Sequence, residues 1–374
     1  MADKWIELFK WFHEHPEVSY REEKTTEKIL EVLREEGIPV LPSGLKTGAI
    51  ALIQGGKEGP ARMLRADIDA LPVSEESGVP YASKNPGVMH ACGHDFHITC
   101  VLRAAAELNR RKAGLAGKLY VVFQPGEEGF DGAASVLRTH ILDDAVEYYG
   151  LHSEPELEVG VVSLAAGAVT SSVDRFQITV CGKGGHGAMP HNAENPIPIL
   201  WNLLNEISLS ADRKLSAFTP HVITVTRISG GSTWNVIPEQ AFAEGTVRTL
   251  DAEGQAAIQR HMAESCEAFG RIYGIPVKLE YENGPNITYC DEALVRKAAR
   301  VAESCGLKAV RMRPQMIGDD FGDYIPPDSG KTGVFIRTGT GKGASLHHPR
   351  FRADLSAIEP ISDYFTALLL DSGE

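Results

Sequence analysis

The chain has 374 residues, of which 43% are hydrophobic and 23% charged, and its formal net charge is −13. This length is enough for two domains with a large buried core, and the composition is typical of a globular protein. The acidic balance argues against a nucleic-acid partner, because phosphate binding needs clustered lysine and arginine. The short run Arg110-Arg111-Lys112 is better explained as the cationic end of a helix.

The cysteines and the N-terminal sequence bear on localisation. The six cysteines are scattered and none forms a CxxC pair, a pattern that suits a reducing compartment. Charges interrupt the first residues every few positions, so the apolar stretch of a secretory signal is not seen. No apolar run reaches the roughly 18 residues that a membrane span needs. We therefore expect a cytoplasmic protein without a membrane partner.

Hydrophobic periodicity predicts alternating helices and strands in the first part of the chain. In chain order the predicted elements are a helix ending near Pro16, a helix over 26–36, strands at 49–54 and 62–68, a helix over 98–114 and a strand at 118–124. The last strand is almost continuously apolar, as is typical of a strand buried on both faces. The strand-helix-strand order predicts an α/β fold with a mostly parallel sheet.

The middle of the chain has a different order of elements. Strands and helices are predicted at 175–180 (strand), 198–209 (helix), 221–229 and 241–250 (strands), 256–274 (helix) and 277–282 (strand). This β-α-β-β-α-β order is typical of a small ferredoxin-like sandwich. A helix over 292–306, a strand at 334–339 and a helix over 361–370 then resemble the first part again. We therefore predict a discontinuous catalytic domain, 1–172 and 286–374, interrupted by a smaller domain over 173–285.

Residue types that commonly bind metals follow several predicted strands of the larger domain. HACGHDFH (90–97) holds three histidines, a cysteine and an aspartate, and PGEEG (125–129) and LHHP (346–349) each follow a strand. In open α/β sheets, ligands bind beyond the carboxyl ends of the strands. We therefore expect these segments to meet His152, which follows another strand, at one edge of the sheet.

Five of these side chains form a set of candidate metal ligands: Cys92, His94, Glu128, His152 and His347. One metal takes about four ligands, so five with one shared fit two metals about 3.5–4 Å apart. The adjacent Glu127 could then touch a water activated by the metals and act as general acid/base. The alternatives are a histidine-rich polar loop in which Cys92 is a small buried residue, and a glutamate pair that is merely an acidic loop.

The sequence resembles the aminoacylase/hippurate hydrolase family. The matching segments are LRADIDALP (64–72), MHACGHDFH (89–97), FQPGEEG (123–129), GLH (150–152), GKGGHGAMPH (182–191), NVIP (235–238), GTVRT (245–249) and LHHPRF (346–351), with FHEHPEVSYREEKTT (12–26) similar to the N-terminal signature. The family consists of dinuclear-metal amidohydrolases and includes the plant indoleacetyl-amino-acid hydrolases and bacterial N-acyl-amino-acid deacetylases. The resemblance covers nearly the whole chain in order and also implies the inserted domain.

The resemblance implies roles for the candidate residues of the larger domain. The five ligands would carry two divalent metals per subunit, with Cys92 as the bridge and Glu127 as the general acid/base. His347 aligns with the family's ligand, while His348 stays an open alternative. The soft thiolate favours zinc, with manganese, cobalt and nickel also possible. Structural or supporting roles are expected for the other histidines of the motifs, His90, His97 and His191.

Within the inserted domain the resemblance implies three further roles. His186 would reach the active site of the partner subunit and stabilise the tetrahedral oxyanion, Arg248 would bind the substrate carboxylate, and Asn235 would lie beside the site. The open alternatives are a loop residue for His186, a surface ion pair for Arg248 and a turn former for Asn235. A histidine that acts in trans predicts a homodimer or dimer-based oligomer in which the inserted domain serves for dimerisation and as a lid.

Some positions bear on details of the site. Asp67 or Asp69 could orient a ligand histidine, or could only stabilise the loop. The sequence departs from the family pattern at Gly126, where alanine is frequent, at Asp319, where glutamate is more usual, and after Asp354, where an acidic residue is missing. These departures leave the shape of the pocket and the substrate open, but they remove no proposed ligand.

The reaction implied is hydrolysis of a small-molecule N-acyl amino acid to a carboxylic acid and a free amino acid. A metallo-carboxypeptidase or dipeptidase with the same site is the nearest alternative. A non-catalytic binding relative is the alternative from another class, but it would be expected to have lost a ligand or the base. The acyl group and the amino-acid side chain stay open.

Overall fold

A computed structural model describes residues 2–327 and 329–371. In this part of the chain the α-helices are α1 (Ala2–Glu14), α2 (Glu23–Glu35), α3 (His94–Arg110), α4 (Gly132–Leu137), α5 (Pro196–Lys214), α6 (Ala252–Tyr273), α7 (Glu292–Ser304) and α8 (Ile358–Leu370). The strands are β1 (Ala49–Gln54), β2 (Lys57–Asp67), β3 (Ala116–Gln124), β4 (Ala145–Glu154), β5 (Val161–Leu164), β6 (Gly167–Thr170), β7 (Asp174–Cys181), β8 (Gly185–His186), β9 (His221–Gly230), β10 (Val236–Ile237), β11 (Gln240–Thr249), β12 (Val277–Glu282), β13 (Thr288–Cys290), β14 (Lys308–Arg311) and β15 (Thr332–Gly339). None of these helices is long and apolar enough to cross a membrane.

Two predicted boundaries near the candidate ligands are wrong. Helix α3 begins at His94 rather than at residue 98, because Gly93 adopts a left-handed φ of 84° and turns the chain into the helix earlier. Half of the HACGHDFH segment is therefore helical. Strand β4 continues to Glu154, so His152 lies within the strand rather than after it. His94 and His152 therefore lie on a helix and a strand rather than on loops.

The first of two compact units contains the residues up to Val169, Thr288–Arg313 and the residues from Asp319 onward. Its seven-stranded sheet has the order β1-β3-β2-β4-β15-β5-β14. The β3-β2, β2-β4, β4-β15 and β5-β14 pairs are parallel, whereas β1 and β5 run antiparallel to β3 and β15. The predicted α/β fold on a mostly parallel sheet is therefore confirmed.

Both faces of this sheet are buried. Leu64 and Ala66 of β2 pack in one core cluster with residues of α1, α2, α3, α7 and α8. Met63, one position before Leu64, packs in another cluster with residues of α4 and of the short 3-10 helix Asp320–Tyr324. Successive strand side chains point to opposite faces, so apolar residues fill both layers. Polar side chains are thereby concentrated at the carboxyl ends of the strands.

The second compact unit contains Thr170–Ile287 and Pro314–Gly318. Strands β12, β7, β11 and β9 form an antiparallel sheet in that order. Alternate residues of this sheet form a core with α5 and α6. The unit extends slightly beyond the predicted 173–285, and the segment Pro314–Gly318 was not expected to belong to it. A role in dimerisation or as a lid stays a prediction.

Candidate metal centre and substrate-binding residues

The carboxyl ends of neighbouring strands bring the candidate ligands of the first unit together. Glu127 and Glu128 follow β3, His152 lies near the end of β4, and His347 follows β15. The backbone N–H of His347 donates to the Ala91 carbonyl at 2.8 Å. This hydrogen bond ties the loop after β15 to the segment that carries Cys92 and His94.

Three overlapping groups of possible ligand atoms form here, and within each group the atoms lie within 4.8 Å of one another. The groups are Cys92, His94 and His152; Cys92, Glu128 and His347; and His94, Glu127 and Glu128. Cys92 belongs to two of them, and its Sγ lies 3.5 Å from His152 Nε2. The structure therefore brings together all five predicted ligands and the predicted base.

The neighbouring histidines His347 and His348 differ in their surroundings. His347 Nε2 lies 3.3 Å from Glu128 Oε1. His348 Nδ1 instead accepts the backbone N–H of Arg350 at 3.0 Å, and His348 is in none of the ligand groups formed by the described residues. The geometry therefore favours His347 over His348 as a ligand.

The two buried histidines among the candidate ligands are each oriented through one ring nitrogen. His94 Nδ1 lies 2.9 Å from the Asp69 carbonyl oxygen, and His152 Nδ1 lies 2.8 Å from the Ser153 carbonyl oxygen. Because a carbonyl oxygen only accepts, each Nδ1 carries the proton and each Nε2 presents its lone pair. His94 Nε2 is buried and has no hydrogen-bond partner among the described residues. This orientation is the one that a metal-binding histidine needs.

His97, one turn into α3, has no free ring nitrogen. The backbone N–H of Ser153 donates to His97 Nε2 at 2.8 Å, so Nδ1 carries the proton and donates it to the Asp67 carboxylate. Although burial opposes it, the positive charge of Arg65, which contacts Asp67 at 2.8 Å, helps to hold the pKa of Asp67 well below its usual range. These contacts fit the supporting role expected for His97.

The carboxylate of Asp69 makes its shortest contacts with the glutamate loop and with Ser19, and it also lies 3.4 Å from His94 Nδ1. It accepts the backbone N–H groups of Glu127 and Glu128, each at 3.1 Å, and the hydroxyl of Ser19 at 2.6 Å. His94 uses the main-chain carbonyl of Asp69 for its closest hydrogen bond. Of the two roles left open for Asp69, these contacts favour stabilisation of the loop: the side chain holds the backbone of Glu127 and Glu128, and the main-chain carbonyl contacts His94.

Tyr20 packs across the same glutamate loop. A Cβ on Gly126 would lie 2.3 Å from Tyr20 Cε1, and a Cβ on Gly129 would lie 2.6 Å from Tyr20 Cε2. Gly126 also has a φ of 64°, which favours glycine. Glu22 Oε1 accepts the Gly126 N–H at 2.9 Å. These contacts explain why glycine occupies position 126.

Sequence reasoning missed a buried ion cluster next to the predicted base. Arg65 is fully buried and pairs with Asp67 at 2.8 Å, Asp320 at 2.7 Å and Asp319 at 3.3 Å. Carboxylate oxygens of Asp319 and Asp320 lie within 4.8 Å of Glu127. Burial and the Asp319 carboxylate hold the pKa of Glu127 well above its usual range. The sequence feature that could have indicated this cluster is Arg65, which lies in an apolar strand two residues before Asp67.

The second unit brings His186 and Asn235 together. Strand β8 pairs with β10, and the Gly187 N–H donates to the Asn235 carbonyl at 2.8 Å. His186 is exposed, and its Nδ1 accepts the Ala188 N–H at 3.1 Å. A neutral His186 therefore carries its proton on Nε2, where it can donate outward.

Arg248 lies half-buried on β11 of the second unit. Its Nε donates to Thr246 Oγ1 at 3.1 Å, and it forms no salt bridge within the described residues. Burial lowers the pKa of Arg248, and the nearby Asp174 carboxylate acts in the opposite direction. Gly318 lies close to this guanidinium: a Cβ added to Gly318 would lie 1.9 Å from Val173 Cγ2 and 3.4 Å from Arg248 Nη1. The surface ion pair considered for Arg248 is therefore not found.

Comparisons with known proteins identify the family. The model of "Peptidase family M20/M25/M40" matches residues 63–371. N-acetylcysteine deacetylase from Bacillus subtilis is 38% identical over 98% of each chain. Thermostable carboxypeptidase 2 from Saccharolobus solfataricus is 34% identical, covering 86% of this chain and 82% of that protein. The Bacillus subtilis YXEP protein, a dinuclear metal binding peptidase, has a TM-score of 0.87 and 36% identity over 99% of this chain and 97% of its own. The chain therefore belongs to peptidase family M20/M25/M40.

Proposed function

We propose that this protein hydrolyses N-acyl amino acids to a carboxylic acid and a free amino acid, using two divalent cations. The observation that carries the proposal is the convergence of five possible ligands beside the buried Glu127 at one edge of the sheet. The similarity to an N-acetylcysteine deacetylase supports the acyl-amino-acid class of substrate.

The donor set fits two divalent cations. Cys92, His94 and His152 would hold one, and Cys92, Glu128 and His347 would hold the other, so Cys92 belongs to both sets. The buried and unpartnered His94 Nε2 supports this arrangement, because such an atom is costly without a ligand. A thiolate combined with imidazoles suits zinc, with manganese, cobalt and nickel as alternatives.

When bound, the cations would polarise the amide carbonyl and lower the pKa of water. Glu127 takes a proton from the attacking water and later donates it to the leaving nitrogen. The Asp69 carboxylate fixes the backbone of Glu127 for this task. The raised pKa of Glu127 lets it hold a proton closer to neutral pH, and neighbouring cations would lower that pKa again.

The residues of the second unit act on the substrate. His186 donates from Nε2 to the developing oxyanion, as an oxyanion-hole group does. Arg248 binds the substrate carboxylate through its guanidinium, which can donate two parallel hydrogen bonds. Asn235 lies beside His186 and fixes the ribbon that carries it.

We propose a homodimer in which the second unit supplies the contact surface. Strand β9 is at the edge of its sheet, and most of its residues are exposed. Val225 and Ile228 on this strand and Trp201 on α5 are exposed apolar residues. A long exposed edge strand with apolar side chains is a template for pairing with another chain. A monomer in light scattering of the purified protein would contradict this proposal.

A metallo-carboxypeptidase or dipeptidase is the second candidate, because thermostable carboxypeptidase 2 is among the relatives. An amine-release screen, run after metal analysis of the purified protein, distinguishes the N-acyl-amino-acid hydrolase from the carboxypeptidase or dipeptidase. The screen compares N-acetyl and N-benzoyl amino acids, their C-terminal amides, and dipeptides.

We expect two metal equivalents per chain and preferred turnover of N-acyl amino acids with a free carboxylate. Faster turnover of dipeptides would favour the peptidase. A metal-replete protein that binds N-acyl amino acids without cleaving any would overturn the proposed function.

A further inference from the structure

A cavity of about 950 Å³ lies within the first unit. Its walls come from residues 77–81 and residues 340–355, and none of the five proposed ligands or Glu127 lines it among the described residues. Its volume is within the range of roughly 300–1,000 Å³ that small-molecule sites occupy. The proposed reaction does not use this cavity.

The cavity is basic although the chain as a whole carries a net charge of −13. The basic residues that line it are Lys342, His348, Arg350 and Arg352. Its one lining carboxylate, Asp354, already accepts the backbone N–H and the hydroxyl of Ser356, at 2.9 and 2.6 Å. Lys342 pairs with Glu158 at 3.1 Å. The two arginines are therefore the charges available to a ligand.

Both arginines line the cavity from the loop that follows His348. Phe351 and Ala353 are buried, whereas Arg350 and Arg352 are exposed. Arg350 lies in a turn in which the Phe351 N–H donates to the His348 carbonyl at 2.9 Å, and Arg352 lies in the irregular segment that follows. Neither guanidinium forms a salt bridge or hydrogen bond within the described residues.

We propose that this cavity binds a small molecule with at least two anionic oxygens, of the phosphate or the dicarboxylate type. A guanidinium donates paired N–H groups that match such oxygens. His348 Nδ1 accepts a backbone N–H, so a neutral His348 presents an Nε2 donor as well. The bound anion would also hold the loop that carries the proposed ligand His347, which directly precedes His348.

Isothermal titration calorimetry of the metal-replete protein tests this site, with sulfate, phosphate and succinate as probes at constant ionic strength in chloride. We expect saturable binding of at least one probe. The comparison of phosphate with succinate decides between the two types of anion. In the double variant R350A/R352A the affinity should fall at least about tenfold, because two charge-assisted contacts are lost.

A matched control is R311A/R313A, which removes two exposed arginines of the same spacing that do not line the cavity. This control should bind the probe as the unaltered protein does. The single variant R352Q should show a smaller loss and covers the case in which the double variant does not fold. Anion binding at the metal centre would survive in R350A/R352A. Unchanged affinity in the folded variants, or no saturable binding of any probe, would overturn the proposal.

Discussion

The metal centre of the first unit and the β8-β10 ribbon of the second hold their functional side chains in different ways. Cys92, His94 and His152 are buried, and both histidines have one nitrogen committed to a main-chain carbonyl. His186 on the ribbon is exposed, and Trp234 beside it is 94% exposed. The centre is therefore pre-organised within one chain, whereas the ribbon presents its groups outward.

The largest expected effect follows from removing the base of the pre-organised centre. Glu127→Gln should lower kcat by about 10²–10⁴-fold, because the proton transfers lose their carrier. Metal content should stay unchanged, since Glu127 is not one of the five proposed ligands. Glu128→Gln, one residue further on, is the matched control and should lose metal instead. Near-normal turnover in Glu127→Gln would show that another group is the base.

We expect His186 on the exposed β8-β10 ribbon to contribute to turnover at the active site of the second subunit. His186→Ala should lower kcat by about 10²–10³-fold at full metal content, because one oxyanion donor is lost. Mixing this variant with Glu127→Gln gives heterodimers in which one of the two sites has both residues, if His186 acts in trans. Activity should then recover to about a quarter of the unaltered value, as half of the dimers are mixed. Without recovery in demonstrated heterodimers, action in trans is wrong.

Beside the buried centre, His13 contacts two carboxylates. Its Nδ1 lies 2.6 Å from Asp95 Oδ2 and its Nε2 lies 3.0 Å from Glu75 Oε1. Although burial alone would lower it, these hydrogen bonds raise the pKa of His13 from 6.5 to about 10. Because the folded pKa is the higher one, this stabilisation is full below pH 6.5 and is lost as the pH rises through about 10.

His13→Asn should therefore lower the free energy of unfolding by about 3–5 kcal/mol just below pH 6.5, where Asp95 and Glu75 are still ionised, because it leaves these buried carboxylates uncompensated. The difference from the unaltered protein should shrink as the pH approaches that of the raised pKa. Urea unfolding of both proteins over a pH series measures this difference in the free energy of unfolding. His15→Asn, whose ring contacts the Trp11 carbonyl, is the control and should lack this pH dependence. A pH-independent difference for His13→Asn would contradict the paired imidazolium.

The smallest expected effect concerns the loop that carries the base. Gly126→Ala should lower kcat about tenfold, because the added Cβ meets the Tyr20 ring and the left-handed φ disfavours alanine. Removing the ring as well, in Tyr20→Ala/Gly126→Ala, should restore part of the loss, since contacting residues are not additive. A double-mutant cycle on kcat, with metal content as a second readout, measures the coupling. Strict additivity would show that Tyr20 does not position the loop.

The sequence allowed most of the elements and the ligand set of the metal centre to be predicted. Strands β1 and β12 occupy the predicted residues, because their apolar patterns are clear and their ends are marked by turn residues. The start of α3 was missed, because the left-handed Gly93 allows the helix to begin among the candidate ligands. The sequence does not predict six short strands, which are β5, β6, β8, β10, β13 and β14. A strand of two to four residues is too short to show a clear hydrophobic periodicity.

By itself, the sequence determined the order of the main elements, the mostly parallel sheet and the residues able to bind metal, since periodicity and side-chain chemistry are local properties. Only the tertiary structure decided which nitrogen of each histidine is free and which of His347 and His348 faces Glu128. The same holds for the ion cluster of Arg65 and for the basic cavity. These features depend on contacts between residues far apart in the chain, which no local pattern records.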